Sequence, residues 1–146
     1  MPSHFYKTAR EEWMWKLLFG LSNREAAYVR ALKKFGGSSV KLKELAEELG
    51  VSTPSALEEV RHLTAKGLVE NRRGHITLTR KGLAVLEALR LAHISLETIF
   101  ARQDLAPEES CSSIHSFDYA IPESLVEKLY DAAGKPRVCP EGNSEC

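Results

Sequence analysis

The chain has 146 residues and a mass of 16.3 kDa, 43% hydrophobic and 27% charged, which suits one compact domain or two small ones sharing a core and excludes a disordered or fibrous polypeptide. Its longest apolar run, residues 13–19, contains Lys16; roughly 20 apolar residues are needed to cross a bilayer. No basic start leads through an apolar stretch to a small-residue cleavage site, so the composition predicts a cytoplasmic chain with no membrane partner. The net charge of zero hides a segregation: residues 1–96 carry 16 Lys+Arg against 10 Asp+Glu, and residues 97–146 carry 4 against 10. The first part is thus suited to facing a polyanion and the second a cation.

In chain order, the spacing predicts a helix over 8–19, opened by a capping box of Thr8 and Glu11 and apolar almost all round. A second starts at Ser22, with Glu25 as its capping acid and Tyr28, Ala31, Leu32 and Phe35 on one face. It breaks at Gly36, Gly37, Ser38 and Ser39. The third, 41–49, places Leu42, Leu45, Ala46 and Leu49 together and stops at Gly50. A fourth opens at Thr53 and Pro54, buries Leu57, Val60 and Leu63, and ends at Lys66 and Gly67. Two β-prone runs, 68–70 and 75–78, flank a basic tip of Asn71, Arg72, Arg73 and Gly74. One long helix then covers 80–101, with Leu86, Leu89, His93, Leu96 and Phe100 forming a narrow seam. A helix from Pro107 to about Tyr119 follows. The last begins at Pro122, packs Leu125, Val126, Leu129 and Tyr130, and ends at Gly134.

Three helices followed by a hairpin with a basic tip is the order of a winged helix-turn-helix. In that arrangement the second helix of the motif enters the major groove by its N-terminal end. The residues placed there are Ser52, Thr53, Pro54, Ser55 and Glu58. Arg61, Arg72 and Arg73, with Lys66, Arg80 and Lys81 nearby, are candidates for phosphate contacts. Glu58 and Glu59 weigh towards a protein-binding use of the same fold, because carboxylates repel phosphate. A glutamate can nevertheless accept from cytosine N4.

The second half collects groups that structural helices seldom share. His93 and Glu97 are four residues apart on the long helix, Cys111 and His115 are four apart on the next, and Asp118 follows three later. Packed together, two such faces bring imidazole, carboxylate and thiolate donors within reach of one or two cations. Taken singly, each has a plainer reading: a histidine on an apolar seam is ordinarily hydrogen-bonded core, and a lone cysteine a small buried hydrophobe. The three cysteines, Cys111, Cys139 and Cys146, are too few and too odd in number for a disulfide framework. No nucleophile motif, phosphate loop or acid–base pair marks an enzyme.

From about Ser22 to Gly142 the sequence resembles the metal-dependent transcriptional regulators of the diphtheria toxin repressor and manganese transport regulator type. The resemblance rests on "LAEELGVSTPSALEEVRHLTAKGLVENRRGHITLTRKG", on "AHISLE" and on "GKPRVCPEGN", in that order. It implies a mainly α fold: an N-terminal extension (1–21), a winged helix-turn-helix with a small β-hairpin wing (22–82), and a helical dimerisation and metal-binding domain (83–146). The length leaves no room for the SH3-like domain of longer members, so the short two-domain branch is the one resembled. The implied function is a homodimeric regulator that represses metal-uptake or metal-homeostasis genes by binding a palindromic double-stranded operator, with a divalent transition metal between its domains favouring DNA binding. Fe2+ heads the candidate ions, followed by Mn2+, Co2+ and Zn2+.

Residue by residue, His93 and Glu97 fall on the family's ligands in the long helix, and Cys111 falls where many members have histidine. His115 falls on a cysteine or glutamate ligand, and Asp118 on the glutamate three residues later. The chain departs from the pattern at Tyr119, where the family has histidine, and at Ala27 and Arg30, where members often supply ligands. Glu11, Glu12 or His4 are candidate replacements. The expectation is therefore a main site of His93, Glu97 and Cys111, with His115 and Asp118 forming a weaker second one. Dimerisation is assigned to the chain beyond Leu83, through the seam and the 125–130 face. A redox- or ligand-sensing winged helix built on Cys111, and a winged-helix protein-interaction module, are the alternatives.

Overall fold

The computed structural model describes residues 14–18, 20–104 and 107–140, without the side chains of 107–110. The Thr8–Glu11 capping box, His4, Glu12, Trp13 and Cys146 lie outside the described residues. The chain divides into two units, Arg24–Leu86 and Met1–Asn23 with Glu87–Cys146. The N-terminal segment thus groups with the C-terminal unit.

In the Arg24–Leu86 unit, α1 (Asn23–Lys33) buries Ala26, Tyr28, Val29, Ala31 and Leu32. Glu25, expected to cap this helix, is itself buried, and its Oε1 accepts from Lys66 Nζ at 2.7 Å. Burial pushes the Tyr28 phenol above its ordinary pKa, and the Glu59 carboxylate adds to the effect. Strand β1 (Val40–Lys41) precedes α2 (Leu42–Leu49), which buries Leu45 and Ala46. Gly50 ends α2 at φ 66°, a left-handed conformation that glycine adopts without steric cost. The reversal leads into α3 (Thr53–Ala65), whose cap is Ser52 rather than Thr53: its Oγ accepts from Ser55 N–H at 3.2 Å. This helix buries Ala56, Glu59, Val60 and Leu63, while Leu57 is only half-buried.

Strands β2 (Val69–Arg72) and β3 (His75–Leu78) pair antiparallel, with Arg72 opposite His75. The connecting turn is therefore the two residues Arg73 and Gly74, both at positive φ (52° and 84°), as primed hairpin turns require. Gly74 N–H is further held by Asn71 Oδ1 at 3.0 Å. Strand β1 joins the other face of β3, giving a three-stranded sheet in the order β1-β3-β2. A two-residue strand carries no alternation, so its sequence showed only a hairpin.

The longest helix, α4 (Arg80–Ala101), leaves this unit and continues into the other. The expected narrow seam is broader than predicted, because every residue from 91 to 97 is buried. Leu89, His93 and Leu96 of the seam are therefore core, while Leu86 and Phe100 at its ends are half-buried. After α5 (Pro107–His115) the helix predicted to reach Tyr119 stops short: Phe117 leaves helical geometry at φ −142°, and a single 3-10 turn spans Asp118–Ala120. Helix α6 (Glu123–Ala132) buries Val126 and Tyr130 but leaves Leu125 48% exposed, contrary to the expected packing. Among the described residues of this unit, Leu125, Phe117 and Val138 are the exposed large apolar side chains. Cys139 is disulfide-bonded, which corrects the expectation of reduced thiols throughout.

The α4 N-terminus contains a glycine, Gly82, with a packing reason. Thr79 caps the helix, its Oγ1 accepting from Gly82 N–H at 3.0 Å and donating to Gly67 O at 2.6 Å. A Cβ at Gly82 would overlap the Leu68 carbonyl oxygen and press on Leu78 Cδ2. Alanine gains about 1 kcal/mol of helix propensity over glycine, whereas overpacking costs about 1–3 kcal/mol. Gly82→Ala should therefore lower the urea unfolding midpoint, and an unchanged or raised midpoint would contradict the close approach.

Candidate functional site

One imidazole organises the chemistry of the second unit. His93, on α4, is 1% exposed, and its Nδ1 lies 2.9 Å from Asp118 Oδ2. Asp118 is fully buried on the 3-10 turn. With Nδ1 held by that carboxylate, the other ring nitrogen faces Cys111 Sγ at 3.3 Å and Glu97 Oε1 at 3.3 Å. The His115 ring stacks on His93, with centroids 4.1 Å apart and planes inclined by 23°. Donor atoms of His93, Cys111 and His115 all lie within 4.8 Å of one another.

The packing brings the two expected groups into one cluster: His115 joins the His93–Cys111 pair, and Asp118 Oδ2 is the hydrogen-bond partner of His93 while also lying 3.4 Å from His115 Nδ1. All five candidates fall within one unit. His115 and Asp118 do not share a helical face, because α5 has ended before Asp118.

The donor set fits a divalent cation. In tetrahedral coordination with metal–nitrogen bonds of about 2.0 Å and metal–sulfur bonds of about 2.3 Å, neighbouring donors are about 3.5 Å apart, close to the spacing around His93. Glu97 Oε2 is buried without a hydrogen-bond partner, and His115 Nδ1 is buried with only a 3.4 Å approach to Asp118 Oδ2; buried polar atoms are normally satisfied. The Asp118–His93 contact is the usual carboxylate–imidazole support of a metal ligand: it fixes the tautomer and aims the lone pair of the opposite nitrogen.

Two arginines that the sequence reading passed over, Arg90 on α4 and Arg102 just beyond its end, tie this helix to later backbone carbonyls. Arg90 is paired with Glu87 through Nε and Nη2 (2.9 and 2.8 Å) and donates to the Arg137 carbonyl at 2.7 Å. The Glu87 hydrogen bond raises its pKa further. Arg102 donates to the carbonyls of Ala132 and Ala133, closing the C-terminal end of α6. Neither carries a sequence signal, since the acceptors are distant backbone carbonyls.

On the winged-helix unit, Ser52, Thr53, Pro54, Ser55, Glu58, Arg61, Arg72 and Arg73 are all exposed. The Ser52 and Ser55 hydroxyls are engaged with each other at 2.9 Å. Glu59, weighed above as a repulsive charge, is buried with His62 Nδ1 3.5 Å away, so Glu58 is the exposed acid of that pair. Lys66 and Lys81 have structural partners, Glu25 Oε1 and the Lys66 carbonyl respectively. Arg72 has Glu70 Oε2 3.3 Å away but is highly exposed, and with Arg61, Arg73 and Arg80 it presents charge to solvent.

The profile described as "Iron dependent repressor, metal binding and dimerisation domain" matches residues 79–146, and that of the MarR family matches residues 19–75. A hypothetical protein from Sulfolobus solfataricus is 34% identical, with a TM-score of 0.75 over 84% of this chain and 96% of its own. The chain belongs to the iron-dependent repressor family of metal-dependent transcriptional regulators. Within that family, a manganese-dependent transcriptional repressor solved with manganese is 27% identical, with a TM-score of 0.65 over 79% of this chain and 55% of its own. ScaR with bound Zn2+ shares the fold at 24% identity, with a TM-score of 0.70 over 80% of this chain and 56% of its own. The chain thus spans little more than half the length of these two metalloregulators. No curated protein matches the sequence.

Proposed function

We propose that this regulator is a cytoplasmic, homodimeric repressor of metal-homeostasis genes that binds a palindromic operator under the control of one divalent ion per chain, held by His93, Glu97, Cys111 and His115. The observation that carries the reading is the convergence of His93, Cys111 and His115 donors within 4.8 Å. Thiolate and imidazole together favour Fe2+, Co2+ or Zn2+ over the harder Mn2+, and the family resemblance puts Fe2+ first among them. When bound, the ion supplies positive charge that joins α4 donors to α5 donors, and it regulates DNA affinity to the extent that it prefers one conformation. A 100-fold preference is worth about 2.7 kcal/mol.

The protein's own part is to hold the donors ready. Asp118 accepts the His93 Nδ1 proton and keeps the opposite nitrogen turned towards Cys111 and Glu97. The stacked His115 ring restricts His93 from one side. Helix α4 carries His93 and Glu97 and is continuous with the Arg80 end that follows the wing. On the DNA side, Arg61, Arg72, Arg73 and Arg80 are assigned to phosphates, and Ser52, Thr53, Pro54, Ser55 and Glu58 to the groove. The exposed Leu125, Phe117 and Val138 are candidates for the dimer contact, beside the half-buried ends of the seam.

Calorimetric titration with Co2+ tests the site. His115→Ala should lose as much affinity as His93→Ala or Cys111→Ser, and Asp118→Asn about 10–100-fold, as expected of a group that orients a ligand. Full affinity in both Cys111→Ser and His115→Ala would reject it. Lowering the pH should release the ion, because imidazole and thiolate bind metal only when deprotonated. For the DNA surface, Arg72→Ala with Arg73→Ala should weaken binding to all sequences and flatten the salt dependence by about 0.9 in log–log slope per lost phosphate contact. An unchanged slope would place the wrong surface on DNA. Light scattering at micromolar concentration should give a dimer mass, and Leu125→Glu should shift it towards monomer.

A further inference from the structure

The atoms that converge for an ion also form a linked series of thiol, imidazole and carboxylate. Cys111 Sγ lies 3.3 Å from His93 Nε2, and His93 Nδ1 lies 2.9 Å from Asp118 Oδ2. Because the buried Asp118 carboxylate accepts the Nδ1 proton, Nε2 is the lone-pair side of the ring, and the Cys111 S–H is its donor. A nucleophile within reach of a base, with the base oriented by a third group, is the arrangement that activates serine and cysteine side chains. Glu97 Oε1, 3.3 Å from the same nitrogen, is placed to accept from it once the proton has moved.

Two further features bear on what the thiol meets. Cys111 is half-buried, whereas His93, Glu97 and Asp118 are buried, so sulfur is the accessible end of the series. It is a free thiol, while Cys139 is held in a disulfide. Glu97 Oε2, on the carboxylate that borders His93 Nε2, is buried without a hydrogen-bond partner. It offers an acceptor to a small reagent that carries an O–H group.

We propose that, in the ion-free protein, Cys111 is oxidised by hydroperoxides to the sulfenic acid with His93 moving the proton, and that the bound ion shields it. The thiol proton passes to His93 Nε2 as sulfur attacks one peroxide oxygen. The S–O bond forms, the O–O bond breaks, and the departing oxygen takes the proton from the imidazolium to leave as water or an alcohol. Sulfur loses two electrons, the peroxide gains two, and the imidazole is returned neutral. The oxidation rests on the thiol, imidazole and carboxylate alone. The shielding rests on the reading of these residues as ligands, since an ion on Sγ and Nε2 occupies both nucleophile and base. Oxidation in turn removes the thiolate ligand, so the two states exclude each other.

The full chain, with chelator present, is exposed to stoichiometric hydrogen peroxide and dimedone, and the adduct on Cys111 is followed by peptide mass spectrometry. Cys111 should react about 100-fold faster than N-acetylcysteine, the size of general acid–base assistance. His93→Gln and the near-isosteric Asp118→Asn should each return it towards the free-thiol rate. Both should slow peroxide more than they slow alkylation by iodoacetamide, because a departing hydroxide needs a proton and a departing iodide does not. A wild-type rate no greater than that of N-acetylcysteine, or equal slowing of both reagents, would overturn the proposal; the wild-type comparison decides it if the variants do not fold. Zn2+, which has no redox chemistry of its own, should then abolish labelling. Fast labelling without the ion that persists with it would uphold the oxidation and overturn the shielding, together with the place of Cys111 among the ligands.

Discussion

The hydrogen bond between His93 and Asp118 is the constraint on which the second unit depends. An imidazole buried in an apolar helix is costly unless both of its nitrogens have partners. Asp118 satisfies one from a turn that exists only because α5 stops at His115. The other is left among a thiol and a carboxylate, with a second imidazole stacked on the ring. Buried groups so rich in lone pairs and so short of donors are stabilised by a cation. Removing Asp118 would free the ring to rotate and disperse the donors even though every ligand remained.

The winged-helix unit obeys a different economy. The side chains proposed to meet DNA are exposed, and the structural ones are tied down. Glu25 accepts from Lys66, Ser52 caps the helix it precedes, and Thr79 caps α4 while holding Gly67. The close approach of Gly82 to Leu68 fixes where α4 departs from the wing. That helix also carries His93 and Glu97, so the donor cluster and the wing are joined by one continuous element.

The order of helices and hairpin, and the limits of the 22-residue α4, were legible from periodicity, caps and glycines. So was the roster of candidate donors, since His93/Glu97 and Cys111/His115 repeat at helical spacing. What spacing could not convey was their grouping. Asp118 is three residues from His115 in sequence, yet its partner at 2.9 Å is His93, 25 residues away, and only the break at Phe117 makes that contact possible. The width of the seam was misjudged for a related reason. Leu86 to Phe100 reads as a stripe, but Leu91, Ala92 and Ile94 make residues 91–97 buried on all sides. Strand β1 was too short to show a period, and the edge-on contact of Trp15 with Tyr130 joins residues far apart in sequence.

A single cluster makes a sharper claim than two sites: one ion per chain, bound through sulfur. Electronic absorption of the protein during Co2+ titration reads both features at once. The account predicts a thiolate-to-cobalt charge-transfer band that saturates at one equivalent per chain and disappears in Cys111→Ser. A second equivalent bound with comparable affinity, or cobalt bound tightly with no thiolate band in the wild-type protein, would contradict it.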